Sequence, residues 1–511
     1  MKIKYVLSVA AIVAFTNGAF AQFSQDAVTF STSQDGTTSR IKALGGAGTA
    51  VGGDISCVGL NPAGLGFFTK SELSITPEFN GVSSKSTFYN TTISKNRNTG
   101  NLANASVVLY NQVKKPAGAD KTKGWLSVNY GVAYNHTNNF NYNAIMEGRG
   151  SNGSSIADWY ADLGTKSNYV PTGSTDPQFP EGSLEGFGYY QGLINTSGPI
   201  QIDNGTRYYN MVPVTAVGPS QRVDILRKDG QSEYNVAIGA NHSNKLYLGA
   251  SVGITNIRYD YSSIFTEEGV TDENQPENYN TGYIVNQSTR GTGFNLKVGA
   301  IYKPVNAVRL GATITTPTWY NLEDVYSEDV ETKFANSPYQ TNGNTYGTRY
   351  DLKTPFKASA GIAIFAGDRG FITGDVEYID YSGARISSPD YDPGDDNLDI
   401  KEGYKSAVNL KAGAEARVTN NVFLRGGYSV QGTPQADLQS AIKTVSGGIG
   451  FRKGAYYLDA TYTRSTGTYF YAPYQVSDNY INNSTVAITN PYSDIKRQFN
   501  NVFVTFGYRF N

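Results

Sequence analysis

Apolar and polar residues alternate along much of this chain, from about residue 71 onward. One stretch has Leu126, Val128 and Tyr130 at alternate positions, with Ser127 and Asn129 between them. Successive side chains of a β-strand point to opposite faces, so this pattern predicts a strand with one apolar and one polar face.

Fourteen segments carry this pattern. We expect strands at 71–80, 102–112, 125–135, 233–243, 246–260, 288–303, 307–316, 355–366, 370–382, 404–418, 421–431, 443–453, 455–465 and 497–510. Their lengths bracket the roughly 9 to 11 residues with which a tilted strand crosses a bilayer.

The connections between these segments alternate in length. Tight turns are expected at 244–245, 304–306, 367–369, 419–420 and 454. Long loops are expected at 136–232, 261–287, 317–354, 383–403 and 466–496. Short turns on one rim and long loops on the other are typical of a transmembrane barrel.

The pattern therefore predicts an all-β fold, a 14-stranded antiparallel transmembrane β-barrel formed by residues 71–511. A soluble β-sandwich or propeller would also alternate, but an apolar outer face on every strand would make it insoluble. An even number of strands returns the chain to its starting side, so we expect both termini in the periplasm.

The first 21 residues have the features of an export signal. Lys2 and Lys4 precede a short apolar run at 5–15, and Ala19-Phe20-Ala21 is a small-x-small cleavage sequence. This arrangement predicts a secretory signal peptide at 1–21, since the apolar run is too short to span a membrane as a helix.

Composition agrees with an exported β-protein. The 511 residues include 42 Lys and Arg against 43 Asp and Glu, a net charge of −1 that gives nucleic acid no electrostatic reason to bind. Aromatic residues make up 13%, which argues against disorder. The mean hydropathy of −0.38 argues against a helical membrane bundle.

Residues 22–70 do not alternate and are rich in glycine. Residues 46–51 (GAGTAV) lack the final glycine of a dinucleotide-binding fingerprint, and no predicted strand precedes them. Dense glycine ahead of the first strand instead suits a small domain packed closely against the barrel wall. We expect 22–70 to form a plug, or hatch, inside the lumen.

Several segments, in this order, carry a family resemblance. They are Asn61-Pro62-Ala63-Gly64-Leu65 in the hatch, Thr316-Pro317-Thr318-Trp319 after the seventh strand, 375–381 (DVEYIDY) in the ninth and 506–510 (FGYRF) at the end. With the fourteen-strand pattern, they resemble the FadL/TodX family of outer-membrane transporters for long-chain fatty acids and aromatic hydrocarbons, in the style of Bacteroidetes-type members. Asn511 after Phe510 and the long loop 136–232 depart from the family pattern.

The resemblance implies a monomeric barrel in outer-membrane lipid that imports hydrophobic small molecules passively and without a cofactor. It implies capture by the loops, binding in the lumen, rearrangement of the plug and lateral release beside a kinked third strand. Asn61, Pro62 and Ala63 would lie in the plug. Gly131 in the third strand or Pro77 in the first could produce the kink, and ordinary tolerance of glycine is the alternative.

The loop 136–232 offers apolar side chains for capture. Residues 155–164 combine an N-terminal Ser, an Asp three residues later, apolar residues at helical spacing and a final Gly, which predicts a short amphipathic helix. Capture candidates are Ile156, Trp159, Tyr160, Leu163, Phe187 and Tyr190. Alternatively, these residues pack only the core of the loop.

Charged residues are expected to face the lumen on several strands. The candidates are Asp375, Glu377, Lys411, Glu415 and Arg425. Such residues usually pair with one another or with the plug, and Lys411 or Arg425 could alternatively hold a fatty-acid head group.

Nothing in the sequence indicates catalysis or a metal site. His136 and His242 are the only histidines, and residues 390–399 lack the glycine position and final Glu of a calcium loop. We therefore expect no enzyme, and the preferred function is a hydrophobic channel. A barrel of the same fold that binds proteins in secretion or surface assembly is the alternative, and a polar diffusion porin ranks last because it should lack the Asn-Pro-Ala plug.

Overall fold

The computed structural model describes residues 21–32, 36–116, 118, 120–272, 275–435, 439–477, 480 and 488–510. The predicted signal peptide lies outside these residues except for Ala21, which begins the first described helix.

The described residues form twenty strands. Their bounds are β1 Ser71–Phe88, β2 Thr91–Leu109, β3 Trp125–Asn139, β4 Tyr142–Arg149, β5 Ile194–Asp203, β6 Thr206–Pro213, β7 Ser220–His242, β8 Leu246–Val270, β9 Asn278–Val305, β10 Val308–Thr315, β11 Trp319–Phe334, β12 Gln340–Lys353, β13 Lys357–Phe365, β14 Gly370–Asp380, β15 Arg385–Ser387, β16 Ser406–Arg417, β17 Val422–Gln431, β18 Ile442–Lys453, β19 Tyr456–Tyr471 and β20 Ser493–Phe510.

Short helices accompany the strands. The α-helices are α1 Ala21–Ser31, α2 Ser39–Ala43, α3 Ile156–Ser167, α4 Leu184–Tyr190 and α5 Gly394–Gly403, with 3₁₀-helices at Ile55–Val58, Pro62–Phe67 and Tyr381–Gly383. Within the described ranges, no helix has both the length and the apolar character needed to cross a bilayer.

Fourteen antiparallel strands close into a barrel, and each of the fourteen predicted segments is one of them. The order around the wall is β1, β2, β3, β7, β8, β9, β10, β13, β14, β16, β17, β18, β19 and β20. The pairing of Ser71 in β1 with Phe510 in β20 closes the ring. β4 continues β3 beside β7, while β11 and β12 extend β10 and β13 beyond interruptions at 316–318 and 354–356.

The alternation along the strands separates an apolar outer face from a polar inner face. Every barrel strand carries exposed outward apolar side chains, such as Phe79, which is 61% exposed, and Val445, which is 60% exposed. Inward side chains on the same sheet include the buried Asn129 and Asn235. An outer apolar band around a polar interior is the arrangement that lipid imposes on a barrel.

Two of the predicted long loops are largely strand. β8 and β9 pair continuously up to Val270 and Asn278, which reduces the predicted loop 261–287 to a short connection, and β11 and β12 take up most of 317–354. β19 and β20 extend into the two ends of 466–496. The outward face of β8 turns polar at Asn256 and Asp260, above Ile254. Beyond the apolar band a strand keeps its hydrogen-bonded ladder, but its outward side chains are polar. The alternation of apolar and polar residues that predicts a strand therefore ends before the strand does.

The described part of the hatch packs against inward-facing residues of the wall. Gly45, at φ 68°, would carry its Cβ within 2.9 Å of the carbonyl oxygens of Ala412 and Tyr428, and a Cβ on Gly249 in β8 would lie 2.3 Å from the carbonyl carbon of Pro62. Glycine at these two positions lets the hatch backbone touch the strand backbone.

Candidate functional site

The Asn-Pro-Ala motif builds one end of the hatch. The Asn61 Oδ1 accepts from the Ala63 backbone N–H at 3.2 Å and caps the 3₁₀-helix that starts at Pro62. The Asn61 Nδ2 donates to the Thr49 carbonyl at 2.7 Å. One side chain therefore joins two segments of the hatch.

A buried chain of charges joins the hatch to the wall. Arg40 of the hatch contacts Glu415 (Nε–Oε2 2.7 Å), Glu415 contacts Arg425 (2.6 Å) and Arg425 contacts Asp459 (2.5 Å). Burial would lower the pKa of Arg40, but Glu415 and Asp54 outweigh burial and hold that pKa above its ordinary value. These side chains are engaged with one another inside the protein.

The other predicted charged residues also contact protein groups. The Asp375 carboxylate accepts from the backbone N–H groups of Gly48 (2.8 Å) and Thr49 (2.9 Å) in the hatch. Lys411 lies 4.0 Å from Glu377. The five predicted residues thus sit in two groups, one around Arg40 and one around Asp375 and Glu377.

A luminal cavity of about 80 Å³ lies between the hatch and the wall. Gly36, Thr37, Gly59 and Leu60 line it from the hatch side. The opposite side is supplied by strands β3, β7, β8, β9, β10, β11, β13 and β14, together with the interruptions at 316–318 and 354–356. Most of the lining side chains carry hydroxyl or amide groups.

The barrel wall is interrupted beside this cavity. β2 pairs with β3 only from Asn104–Asn135 down to Leu109–Tyr130, whereas it pairs with β1 as far as Thr91. Within the described residues, 91–103 and 136–149 form no ladder with each other, because β3 and β4 follow β7 instead. We name this interruption the lateral gap.

Side chains rather than backbone cross the lateral gap. The Arg97 guanidinium donates to the Asn141 Oδ1 at 3.1 Å, and the His136 Nδ1 lies 2.6 Å from the Glu78 Oε1. Val82 and Phe88 of β1 also share a buried apolar cluster with Tyr142 and Met146 of β4, so side-chain packing rather than a backbone ladder joins the two sides.

The ladders around Gly131, the residue predicted to kink the third strand, contain no register shift. Gly131 pairs regularly with Val108 and with Ala237, and the register of β3 against β7 shifts only at 125–127 and 136–138. A Cβ on Gly131 would lie 2.6 Å from the Val58 Cγ2, so glycine here admits the hatch. The other candidate, Pro77, does mark a register shift between β1 and β2.

The predicted amphipathic helix is α3, with the full capping box at Ser155 and Asp158. Ile156 and Tyr160 are fully buried in a cluster with β4, β7 and β11, and Trp159 packs against its edge. The other three candidates differ in exposure: Leu163 and Phe187 are half-buried, and Tyr190 is 62% exposed. α3 thus belongs to the core of the loop, and the more accessible side chains are those of α4.

Glu267, which the sequence pattern did not single out, holds α3 against the wall. Its carboxylate accepts from the Ser155 hydroxyl (2.5 Å), the Ile156 backbone N–H (3.0 Å), Gln221 (2.7 Å) and Tyr279 (2.9 Å). Burial raises its pKa to about 7 despite these hydrogen bonds. The sequence offers one signal for this residue. Glu267 lies two positions after Phe265, so both side chains are expected on the same, inward face of the strand.

The described residues form a closed fourteen-stranded antiparallel barrel with an apolar outer band and a polar interior in contact with an N-terminal segment, a fold typical of transmembrane β-barrels. The fold is similar to that of a Pseudomonas aeruginosa FadL homologue (TM-score 0.52, 12% identity, 93% of this chain and 98% of that one). It is likewise similar to the P. putida toluene transporter TodX (TM-score 0.51, 11% identity, 93% and 99%). No family model matches the chain, and no curated protein matches it.

Proposed function

We propose that this protein is a passive channel that carries hydrophobic small molecules, such as long-chain fatty acids or aromatic hydrocarbons, across the outer membrane. The observation that carries the proposal is the lateral gap between 91–103 and 136–149. A polar solute gains nothing from an opening toward lipid. An apolar one gains roughly 25 cal/mol for each Å² removed from water.

The proposed route begins at the long loops, which face the outside when both termini are periplasmic. Residues 1–21 act as the signal peptide, 22–70 as the hatch and 71–511 as the barrel of a monomer. Cargo is captured beside Phe187 and Tyr190, passes to the luminal cavity as the hatch shifts, and leaves through the lateral gap. A toluene transporter and a FadL homologue share this fold, which supports the choice of cargo.

A reversible cross-link tests the lateral gap. In a Cys57→Ala background, Arg97→Cys and Asn141→Cys place two thiols on opposite sides of the gap, where the native side chains already meet. A cleavable bifunctional thiol reagent should stop uptake of labelled oleate or toluene in cells, and reduction should restore it.

The matched control places the same reagent across a closed junction. Lys85 and Lys496 are ladder partners on β1 and β20, so cross-linking Lys85→Cys to Lys496→Cys should leave uptake unchanged. Equal uptake with the gap closed and open would refute lateral release. Equal uptake in cells with and without the gene would refute the channel itself.

A further inference from the structure

We propose that the luminal cavity recognises an uncharged, hydroxyl-bearing head group, so that the cargo is an amphiphile of the monoacylglycerol kind rather than a bare hydrocarbon or a free fatty acid. The inference rests on the proposed transport function and replaces the two examples of cargo given there with an uncharged amphiphile.

The lining of the cavity is polar. Eight threonines contribute to it, namely Thr37, Thr137, Thr255, Thr313, Thr315, Thr316, Thr318 and Thr354. Ser31, Ser359 and three amide side chains join them, while Phe30, Leu60 and Pro355 are the main apolar members. A hydrocarbon pressed against these hydroxyls would leave them without hydrogen bonds, which costs free energy for each group.

Two proline interruptions bring part of this lining together. Proline has no backbone N–H, so Pro317 and Pro355 end the ladders of adjacent strands at the same height. The Thr318 N–H donates to the Thr354 hydroxyl at 2.8 Å, which ties the two interruptions together. The resemblance motif at 316–319 is thereby part of the cavity wall.

Several lining atoms have no hydrogen-bond partner among the described residues. They include the Oγ1 atoms of Thr37 and Thr313, the Oδ1 of Asn295 and the Oε1 of Gln231, all on side chains of residues that are at most 5% exposed. Native proteins pair most buried polar atoms, so the unpaired ones beside this cavity are hydrogen-bonding groups that a ligand in the cavity could satisfy.

The two amides offer acceptors and not donors. The Asn295 Nδ2 donates to Glu233 at 2.8 Å, and the Gln231 Nε2 donates to the Tyr320 hydroxyl at 2.5 Å. A carboxylate can only accept, so the orientation of Asn295 is determined and its oxygen is directed away from Glu233. A ligand that matches these oxygens must donate hydrogen bonds, as a hydroxyl does.

The charges at the cavity cancel and have protein partners. Lys297 and Lys357 face Glu233 and Glu377 in the lining. Glu233 accepts from Asn235 and Asn295 and lies 3.8 Å from Lys297, and the Lys297 ammonium also donates to the Gly59 carbonyl. Because the positive and negative charges are equal in number, the cavity has no net electrostatic attraction for a carboxylate head group. Its hydroxyl groups can instead form hydrogen bonds with an uncharged head group.

Binding in lipid nanodiscs tests the inference on the full chain. The probes are labelled 1-decanoylglycerol, decanoate and undecane, which share a similar tail, and binding to protein-free discs is subtracted. We expect 1-decanoylglycerol to bind about tenfold more tightly than the other two. Asn295→Leu and Thr313→Val should each weaken its binding roughly threefold to tenfold, the effect of one lost hydrogen bond, and leave decanoate unchanged.

Thr373→Val is the matched control, since Thr373 is also a buried inward threonine with an unpaired hydroxyl but does not line the cavity. It should bind all three probes like the native protein. Two cavity variants are used because one of them could fail to form a heat-modifiable barrel on gels. Equal binding of the three probes, or unchanged binding by the cavity variants, would overturn the inference and leave the channel intact. Binding of none of the probes would contradict both.

Discussion

Arg40 joins the hatch to the barrel wall through Glu415, and the Arg425 side chain beyond Glu415 is fully buried. Removing one member of such a chain leaves an uncompensated buried charge, which typically costs about 3 to 5 kcal/mol. The stability of the closed hatch therefore depends on a few charged side chains.

Glu415→Ala should loosen the hatch. We expect a lower thermal unfolding temperature and a higher basal conductance in planar bilayers, because Arg40 and Arg425 lose their shared partner. Asp368→Ala removes one partner of the more exposed Arg417–Asp368 pair and should change neither quantity. A Glu415→Ala protein with native stability and conductance would show that the chain of charges does not hold the hatch.

The sequence predicted which charged residues face inward but not their partners. Side chains alternate between the two faces of a strand regardless of distant residues, so this alternation alone predicted Glu415 and Arg425 on the inner face. Arg40 is distant from both in sequence, and only the folded hatch brings it to Glu415. For the same reason, no single hydroxyl of the luminal cavity stood out in the sequence, because five strands, the two interruptions and the hatch bring them together only in the folded protein.

Among the elements, α3 was predicted most completely, because a capping box and helical spacing are short-range signals. The extension of the strands beyond the apolar band was missed, since both faces are polar there. The resemblance implied a lateral opening beside a kinked third strand, which stays a prediction, and the ladders of Gly131 to its two neighbouring strands are regular. The pairing of a strand edge depends on residues that are far apart in the sequence. Such pairing produces no periodic pattern of apolar and polar residues.

The docking of α3 should depend on pH through Glu267. Its pKa is about 7 in the folded protein against 4.5 ordinarily, so the folded state holds the proton more tightly. Stability therefore falls as pH rises from about 4.5 to 7, and the penalty for the ionised carboxylate is complete above that window. Hydrogen exchange of α3, corrected for intrinsic rates, should show stronger protection at pH 5 than at pH 8.

Two glutamine variants separate this effect from the general charge of the loop. Glu267→Gln should make the protection of α3 independent of pH across this window. Its neighbour Glu268 is exposed and bonds to Asn280, so Glu268→Gln should keep the native pH dependence. A native pH dependence in Glu267→Gln would assign the titration to another group.

At the scale of the whole molecule, N-terminal elements pack against the inner face of the wall. α1 packs through Phe23 and Phe30 into an apolar cluster with Tyr350 and Tyr381 of the wall region. As the first element of the hatch, α1 occupies space that a larger cargo would need. The barrel alone would therefore be a wider pore than the complete protein.

Deleting 22–32 should leave a folded barrel with larger conductance. The fourteen strands close without α1, and the hydrogen bonds of Arg40 and Asn61 lie outside the deletion. The measurements are heat-modifiable migration on gels and single-channel current in planar bilayers, with the native chain as reference. A barrel that folds and conducts as the native one does would show that α1 does not obstruct the lumen.

The lateral gap also leaves one long edge of the sheet unpaired. Residues 91–103 of β2 present free backbone donors and acceptors, which is how a strand recruits another chain and begins to aggregate. This edge bears Lys95 and Arg97 among asparagines and threonines. A second strand that approached it would bring its own backbone against two cations. We therefore expect the residues that border the opening to disfavour pairing of this edge with a strand of a neighbouring barrel.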